Sequence, residues 1–213
     1  LSGLLRVRPG RRFRLRDDAA DRRFGWTEEQ AAPELLRMKA RIGELQYQNY
    51  EEGRYDMIVV LQAIDGGGED STIRHVASAF NPQGCTVTAF KAPSAEELRH
   101  DFLWRVHGRV PARGEVGIFN RSHYEDVLVV RVDSLVPKPV WQQRYEQINA
   151  FERQLVQADI RIVKIFLHIS RDEQKQRFEE RLEDPRKRWK FDPTDLRKRA
   201  QWNDYARAYE DML

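Results

Sequence analysis

Apolar residues along the chain follow two alternating periods. Leu35, Met38, Ile42 and Leu45 recur every three or four positions, which predicts an amphipathic helix ending near Glu52-Gly53 with this stripe turned to the core. Met57-Ile58-Val59-Val60-Leu61 is a short unbroken apolar run of the kind found in a strand covered on both faces. Helical spacing returns at Ile73, Val76, Ala77 and Phe80 and stops at Asn81-Pro82. Further strands are predicted over 85–90, 116–119 and 160–167. Ser94 and Glu97 have capping-box spacing ahead of a helix carrying Phe102, Leu103 and Trp104, and Ser170 with Glu173 repeats that spacing ahead of another. Pro137 and Pro139 precede a helix with Ile148, Phe151 and Leu155, and Asp192-Pro193 opens a last helix with Trp202, Tyr205 and Tyr209 on one side. Trp104, Trp141 and Trp202 fall on core positions in this pattern, whereas Trp189, between Arg188 and Lys190, does not.

Strands alternating with helices make an α/β fold with a parallel sheet covered on both faces, and in such folds ligands bind beyond the carboxyl ends of the strands. A chain of 213 residues suits one such domain. The division expected is a basic extension over 1–33 and a single domain over 34–213.

Charge changes this picture little in sum and more in distribution. One third of the residues are charged but the net charge is only +3, which describes a salt-rich surface and not a uniformly basic nucleic-acid binder. Arginines cluster at 6, 8, 11, 12, 14 and 16, and basic residues again at Arg181, Arg186, Lys187, Arg188 and Lys190, where solvated faces are the default. Cys85 is alone, so no intramolecular disulfide forms and a reducing compartment is expected. No apolar stretch approaches the roughly 20 residues that span a bilayer, and the start lacks a secretory signal, so a cytoplasmic protein is expected. A chain without an initiating Met that ends at Met212-Leu213 is expected to lack a little of the natural protein at both ends. The histidines His75, His100, His107, His123 and His168 show no metal-ligand spacing.

Candidate chemistry concentrates at three strand ends. Asp65-Gly66-Gly67-Gly68-Glu69-Asp70-Ser71-Thr72 follows the first strand as a glycine-rich loop entering a helix, where backbone N–H groups and the helix's positive end converge on a phosphate. The residue after the last glycine is ordinarily lysine in such loops and here is Glu69. Asn120-Arg121-Ser122 follows the third strand, and the 181–190 segment follows the helix after the fourth. Phosphoryl transfer needs backbone donors, guanidinium groups and carboxylate-held Mg²⁺, so Asp65 is the candidate metal carboxylate, Glu125 and Asp126 are further ones, and Arg121 is the bidentate phosphate contact.

Several motifs in order carry a family resemblance: Leu61-Gln62-Ala63 with Asp65, Asn81-Pro82-Gln83-Gly84, Phe90-Lys91-Ala92-Pro93-Ser94-Ala95-Glu96-Glu97-Leu98, His100-Asp101-Phe102-Leu103-Trp104-Arg105, Phe119-Asn120-Arg121-Ser122, Tyr124-Glu125-Asp126-Val127-Leu128-Val129 and Trp189-Lys190-Phe191. Together, from about Val7 to the end, they resemble the polyphosphate kinase 2 family, in versions similar to the subgroup that phosphorylates both nucleoside mono- and diphosphates. The resemblance implies a P-loop kinase-like (thymidylate kinase-like) fold with a helical lid around 181–191. It also implies Mg²⁺-dependent phosphate transfer between inorganic polyphosphate and AMP or ADP, and a homodimer or homotetramer. Adenine nucleotides are the expected partners, guanine nucleotides a further candidate, and DNA, RNA and membranes are not expected. Carried over position by position, Asp65 holds Mg²⁺ and orients the acceptor, Glu125 supplies a second metal carboxylate and Arg121 contacts the acceptor's phosphates. Gly66, Gly67, Gly68, Asp70, Ser71 and Asn120 shape the phosphate site, Lys91 and Arg105 hold substrate, and Arg181, Lys187 and Lys190 belong to the lid. The arginines near the start extend a basic track for the polyanion or form a loose arm.

Three positions depart from the family pattern. Gly66-Gly67 stand for alanines, which predicts a looser loop, and Ser71 stands for a glycine. Glu69 stands for the loop lysine. A cation about 4 Å from a phosphate is worth about 4 kcal/mol at intermediate dielectric, and even half of that is more than tenfold in rate. Two compensations are open: Glu69 recruits an additional Mg²⁺, or a neighbouring cation such as Arg74 replaces the lysine. The alternatives to a phosphotransferase are a catalytically impaired relative that binds polyphosphate or nucleotide, and an ATP-dependent nucleotide kinase.

Overall fold

The apolar run at Met57 becomes the centre of a parallel sheet. The computed structural model describes residues 5–8, 10, 13–186 and 194–213, with Asp18 as backbone alone. In it β1 (Asp56–Ala63) pairs with β3 (Val116–Asn120) on one side and β4 (Ile160–Leu167) on the other, and β2 (Cys85–Ala89) pairs with the far side of β3. The order β2-β3-β1-β4 puts the carboxyl ends of β1 and β3 side by side, with Leu61 in register with Asn120. The helices are α1 (Asp17–Ala20), α2 (Glu28–Glu52), α3 (Glu69–Ala77), α4 (Trp104–His107), α5 (Val129–Val132), α6 (Lys138–Gln157), α7 (Arg171–Glu183), α8 (Thr194–Ala200) and α9 (Trp202–Met212).

Side chains alternate across the sheet, which divides the core in two. Ile58, Val60, Phe119 and Ile160 join Ile148, Phe151 and Leu155 of α6 and Trp202, Tyr205 and Tyr209 of α9 in the larger cluster. Leu61, Val116 and Ile118 pack with Ile73 of α3 in the smaller one. The expected parallel sheet with helices on both faces is therefore present, although Val87, Val163 and Ile165 remain exposed at its flanks. Among the described residues no helix is long and apolar enough to cross a membrane.

Several local expectations fail for physical reasons. The stripe Leu35, Met38, Ile42 and Leu45 is 41–54% exposed and not core. Helix α2 is held instead by its Gly43 and Gln46 side: Gly43 lies against the Ala79 backbone, and Gln46 donates to the carbonyls of Asn81 (3.4 Å) and Gly84 (3.0 Å) while accepting from Asn81 N–H (2.8 Å). Close backbone approach and amide bonding, not apolar burial, orient this helix. It begins at Glu28 under a Thr27–Gln30 capping box, so the expected boundary at 33/34 falls inside it. The Ser94–Glu97 box forms both of its bonds (2.7 and 3.2 Å) but caps only a single 3₁₀ turn, Glu97–Arg99. Trp104 is half exposed and stacks on His100 with ring centroids 4.1 Å apart. The last helix is two, α8 and α9, separated at Gln201. Leu15 donates its N–H to Glu210 at 2.9 Å and Arg14 pairs with Glu210, so residues 14 and 15 dock on α9 and do not form a loose arm. Asp192, Pro193, Trp189 and Arg188 lie outside the described residues, as do Arg11 and Arg12 of the early cluster.

Gly43 tests how α2 is held. Glycine inside a helix ordinarily costs about 0.5–1 kcal/mol relative to alanine, so Gly43→Ala at a free position stabilises. Here a Cβ falls inside the van der Waals radius of the Ala79 carbonyl oxygen. Gly43→Ala is therefore expected to destabilise by about 1–3 kcal/mol, a fall of about 2–4 °C in Tm per kcal/mol. A thermal melt with Tm at or above the parent's removes the close-packing account.

Candidate functional site

The loop after β1 is built by its glycines. Gly66 and Gly68 take φ of 85° and 102°, in the left-handed region, and a Cβ on Gly67 would overlap that of Ala63 and lie 2.8 Å from the Ile64 carbonyl oxygen. The loop is not loose. Arg177 of α7 donates from Nη1 to the carbonyls of both Gly66 and Gly67 (3.0 Å each), and Gln174 Nε2 donates to the Asp65 carbonyl at 2.6 Å.

Asp65 leaves this loop as the hub of the site. One carboxylate oxygen pairs with Arg121 and the other with Nζ of Lys198 at 2.7 Å. Arg121 follows β3 with φ of 59°, in a left-handed conformation costly for a side chain of this size, and its N–H bonds the Leu61 carbonyl at 3.0 Å. Glu125 is set by a buried relay in which Ser122 Oγ donates to Gln62 Oε1 (3.0 Å) and Gln62 Nε2 donates to Glu125 Oε1 (2.9 Å). Asp65, Arg121, Glu125, Lys198, Tyr205 and Tyr209 line one cavity. Tyr209 Oη donates to the Ala63 carbonyl at 2.6 Å, while the buried Tyr205 Oη has no hydrogen-bond partner among the described residues.

The electrostatics follow from burying like charges together. Burial works to raise Asp65, but Arg121 and Lys198 outweigh it and hold the carboxyl below its ordinary value. Burial raises Glu125 against the pull of Arg121. Glu69, the first residue of α3, is buried and carries its carboxyl up to about 7, through burial first and then the proximity of Asp65 and Glu125, with Arg121 pulling the other way. Mg²⁺ takes one or two protein carboxylates and completes its shell with phosphate oxygens and water. Asp65 and Glu125 on one cavity wall fit that requirement. Among the described residues there is no group of three or more His, Cys, Asp or Glu arranged as a metal cage.

The other expected residues divide. Asp126 is drawn away by Arg144 at 2.8 Å, which leaves Glu125 as the carboxylate of that pair facing the cavity. Asp70 accepts from Asn120 Nδ2 at 2.6 Å, so these two tie α3 to β3, and Ser71 Oγ donates to the Gly68 carbonyl at 2.8 Å. Arg105 donates to the Lys91 carbonyl (2.8 Å) and faces Glu97 (3.6 Å), a structure at the end of β2. Arg181 faces Asp195 of α8 at 3.7 Å. Arg74 lines a separate open cleft with Lys39, Ser71, His75 and Ser78, so it is not the cation at Asp65. Lys187 and Lys190 lie outside the described residues. Gln62, Arg177, Lys198 and Tyr205 were not singled out as site residues from the sequence. Of these, only Gln62 stood in a motif.

Comparison with known proteins shows the family and the fold. The family model described as polyphosphate kinase 2 matches residues 25–213. The AMP/ADP-polyphosphate phosphotransferase of Meiothermus ruber is 52% identical over 210 residues, 98% of this chain and 79% of that protein. The ADP-polyphosphate phosphotransferase of Rhodopseudomonas palustris is 47% identical over 193 residues, 84% of this chain and 67% of that protein. The crystal structure of polyphosphate kinase 2 from Arthrobacter aurescens TC1 superimposes with a TM-score of 0.93 at 42% identity, covering 99% of this chain and 76% of that one.

Glu69 makes stability depend on pH. In the fold its carboxyl keeps a proton up to about pH 7, whereas the ordinary group releases it near 4.5. Between those values the folded state binds more protons than the unfolded one, so this group's contribution falls as pH rises through the window and is level above it. Glu69→Gln is expected to match the parent below pH 4.5 and to be about 2–3 kcal/mol more stable at pH 8. Urea unfolding at pH 4.5, 6 and 8 measures this, and a difference that does not grow with pH contradicts it.

Proposed function

Because the chain belongs to the polyphosphate kinase 2 family, we propose that it transfers the terminal phosphate of inorganic polyphosphate to AMP and ADP, giving ADP and ATP, with Mg²⁺. Guanine nucleotides are secondary acceptors on this reading. The observation that carries it is the meeting of Asp65, Glu125 and Arg121 in one cavity at the adjoining carboxyl ends of β1 and β3. Arg121 offers a planar fork to the oxygens of the moving phosphate, and its pairing with Asp65 presets that fork. Gln62 and Ser122 keep Glu125 in one orientation, so little reorganisation accompanies charge movement. Asp65 and Glu125 would hold Mg²⁺, which would supply neutralisation of phosphate charge. Arg121 at β3's end and Lys198 of α8 both line the cavity, where their charge disperses that of the reacting group.

The buried Glu69 favours a second reading, a relative that binds polyphosphate or nucleotide without turning it over. An assay of long-chain polyphosphate with AMP or ADP, lacking ATP as donor, separates the two. Nucleotide phosphorylation above a no-enzyme control, abolished by EDTA and reduced about 100-fold in Arg121→Ala, is the expected result. Polyphosphate binding without transfer establishes the second reading instead.

Self-association is supported by the exposed residues Leu35, Met38, Ile42 and Leu45, whose 3-4-3 spacing is that of a helix-pairing seam. A second copy is the partner such a seam suits. Met38→Lys with Ile42→Lys is expected to yield monomers by light scattering while leaving the far-UV spectrum unchanged. An unaltered mass removes α2 from the interface.

A further inference from the structure

Resting on the phosphate-transfer reading, we infer that Lys198 takes the place of the lysine that a phosphate-binding loop ordinarily carries directly after its last glycine. The site needs such a cation. Asp65 and Glu125 both line the cavity, the buried Glu69 stands four residues after Asp65 at the start of α3, and Arg121 is a single cation among them. At the position where the lysine stem ordinarily starts, α3 begins with a buried carboxyl.

Lys198 brings a cation to the loop's aspartate from α8. Its Nζ is 2.7 Å from Asp65 Oδ2, and the side chain lines the cavity with Arg121 and Glu125. A lysine ammonium carries three donors, so the pairing with Asp65 leaves others for phosphate oxygens. The basic neighbours on α8 are committed elsewhere. Arg197 faces Asp133 at 4.0 Å, and Arg199 donates to the Arg171 carbonyl (2.6 Å) and to Gln174 (3.3 Å), which anchors α8 on α7. Among the described residues, Arg177 is likewise spent on the loop carbonyls and Glu173, and Arg74 lines a different cleft. The loop cation has thus moved from α3 to α8, and the positive charge enters with the segment that follows α7.

A reciprocal pair of substitutions tests this. Lys198→Met is expected to lower kcat/KM for polyphosphate-driven ADP phosphorylation about 30-fold, the loss of roughly half a close charge–phosphate interaction. Adding Glu69→Lys to it restores the ordinary loop cation and should return activity to within about fivefold of the parent. A merely structural role for Lys198 gives no such rescue, and urea midpoints of all variants identify any unfolded one, with Lys198→Gln as the second substitution. Retention of activity in Lys198→Met, or a loss in the folded variant that Glu69→Lys leaves untouched, overturns the inference. A parent that transfers no phosphate refutes the phosphate-transfer reading instead. Equilibrium binding of a short polyphosphate then decides the role of Lys198: affinity that falls in Lys198→Met and returns with Glu69→Lys upholds it, and unchanged affinity overturns it.

Discussion

The Asp65 carboxylate is the joint on which the site hangs. It sits at the end of β1, largely out of water, where an ionised carboxyl survives only with partners. Arg121 and Lys198 supply them from two elements that the chain places far apart. That requirement explains the left-handed backbone of Arg121, a strain of the order of 1–3 kcal/mol that a functional position retains when its surroundings enforce it. It also ties α8 to the sheet, since Lys198 must be brought over the loop for Asp65 to stay charged.

The surroundings are correspondingly rigid. Arg177 and Gln174 pin the loop from α7, and Tyr209 pins Ala63 from α9. Behind Glu125, the buried Glu152 of α6 accepts from the Tyr124 hydroxyl (2.7 Å), pairs with Lys164 of β4 (2.7 Å) and meets His123 Nε2 at 3.1 Å. Burial works against that carboxylate, but these partners bring its pKa down to about 2, which marks an interaction formed with the charged state. The short 3₁₀ segment His123–Asp126 is thereby fastened on one side to α6 and β4 and on the other, through Gln62, to β1. Glu69 is the contrary case: a carboxyl buried near others of its own sign, stabilising nothing above neutral pH. Stability has been given up there, as is common where charges are gathered for binding or chemistry.

Much of this was legible from residue order. The four strands appear within a few residues of their predicted bounds, because unbroken β-branched and apolar runs have few other stable arrangements. Helix α6 buries Ile148, Phe151 and Leu155 as its periodicity required. The stripe on α2 misled, since apolar spacing reports that a face avoids water and does not say which surface covers it. Gly43 and Gln46, which hold that helix, carry no apolar signal at all. Likewise Ser94 and Glu97 formed their reciprocal bonds without a helix behind them, because a cap satisfies donors whatever follows.

The sequence by itself determined the alternation of strand and helix, the glycine loop and its glutamate, and the presence of an aspartate after one strand and an arginine after another. Each of these is written in neighbouring residues, where backbone geometry and local spacing act. Only the tertiary structure decided that β1 and β3 are neighbours, that Asp126 turns to Arg144 while Glu125 faces the cavity, and that Lys198, not Arg74, stands at Asp65. Those outcomes depend on which charges meet when helices far apart in the chain close over one sheet edge. Coulomb interactions select among partners by distance in space, and no local pattern encodes that distance.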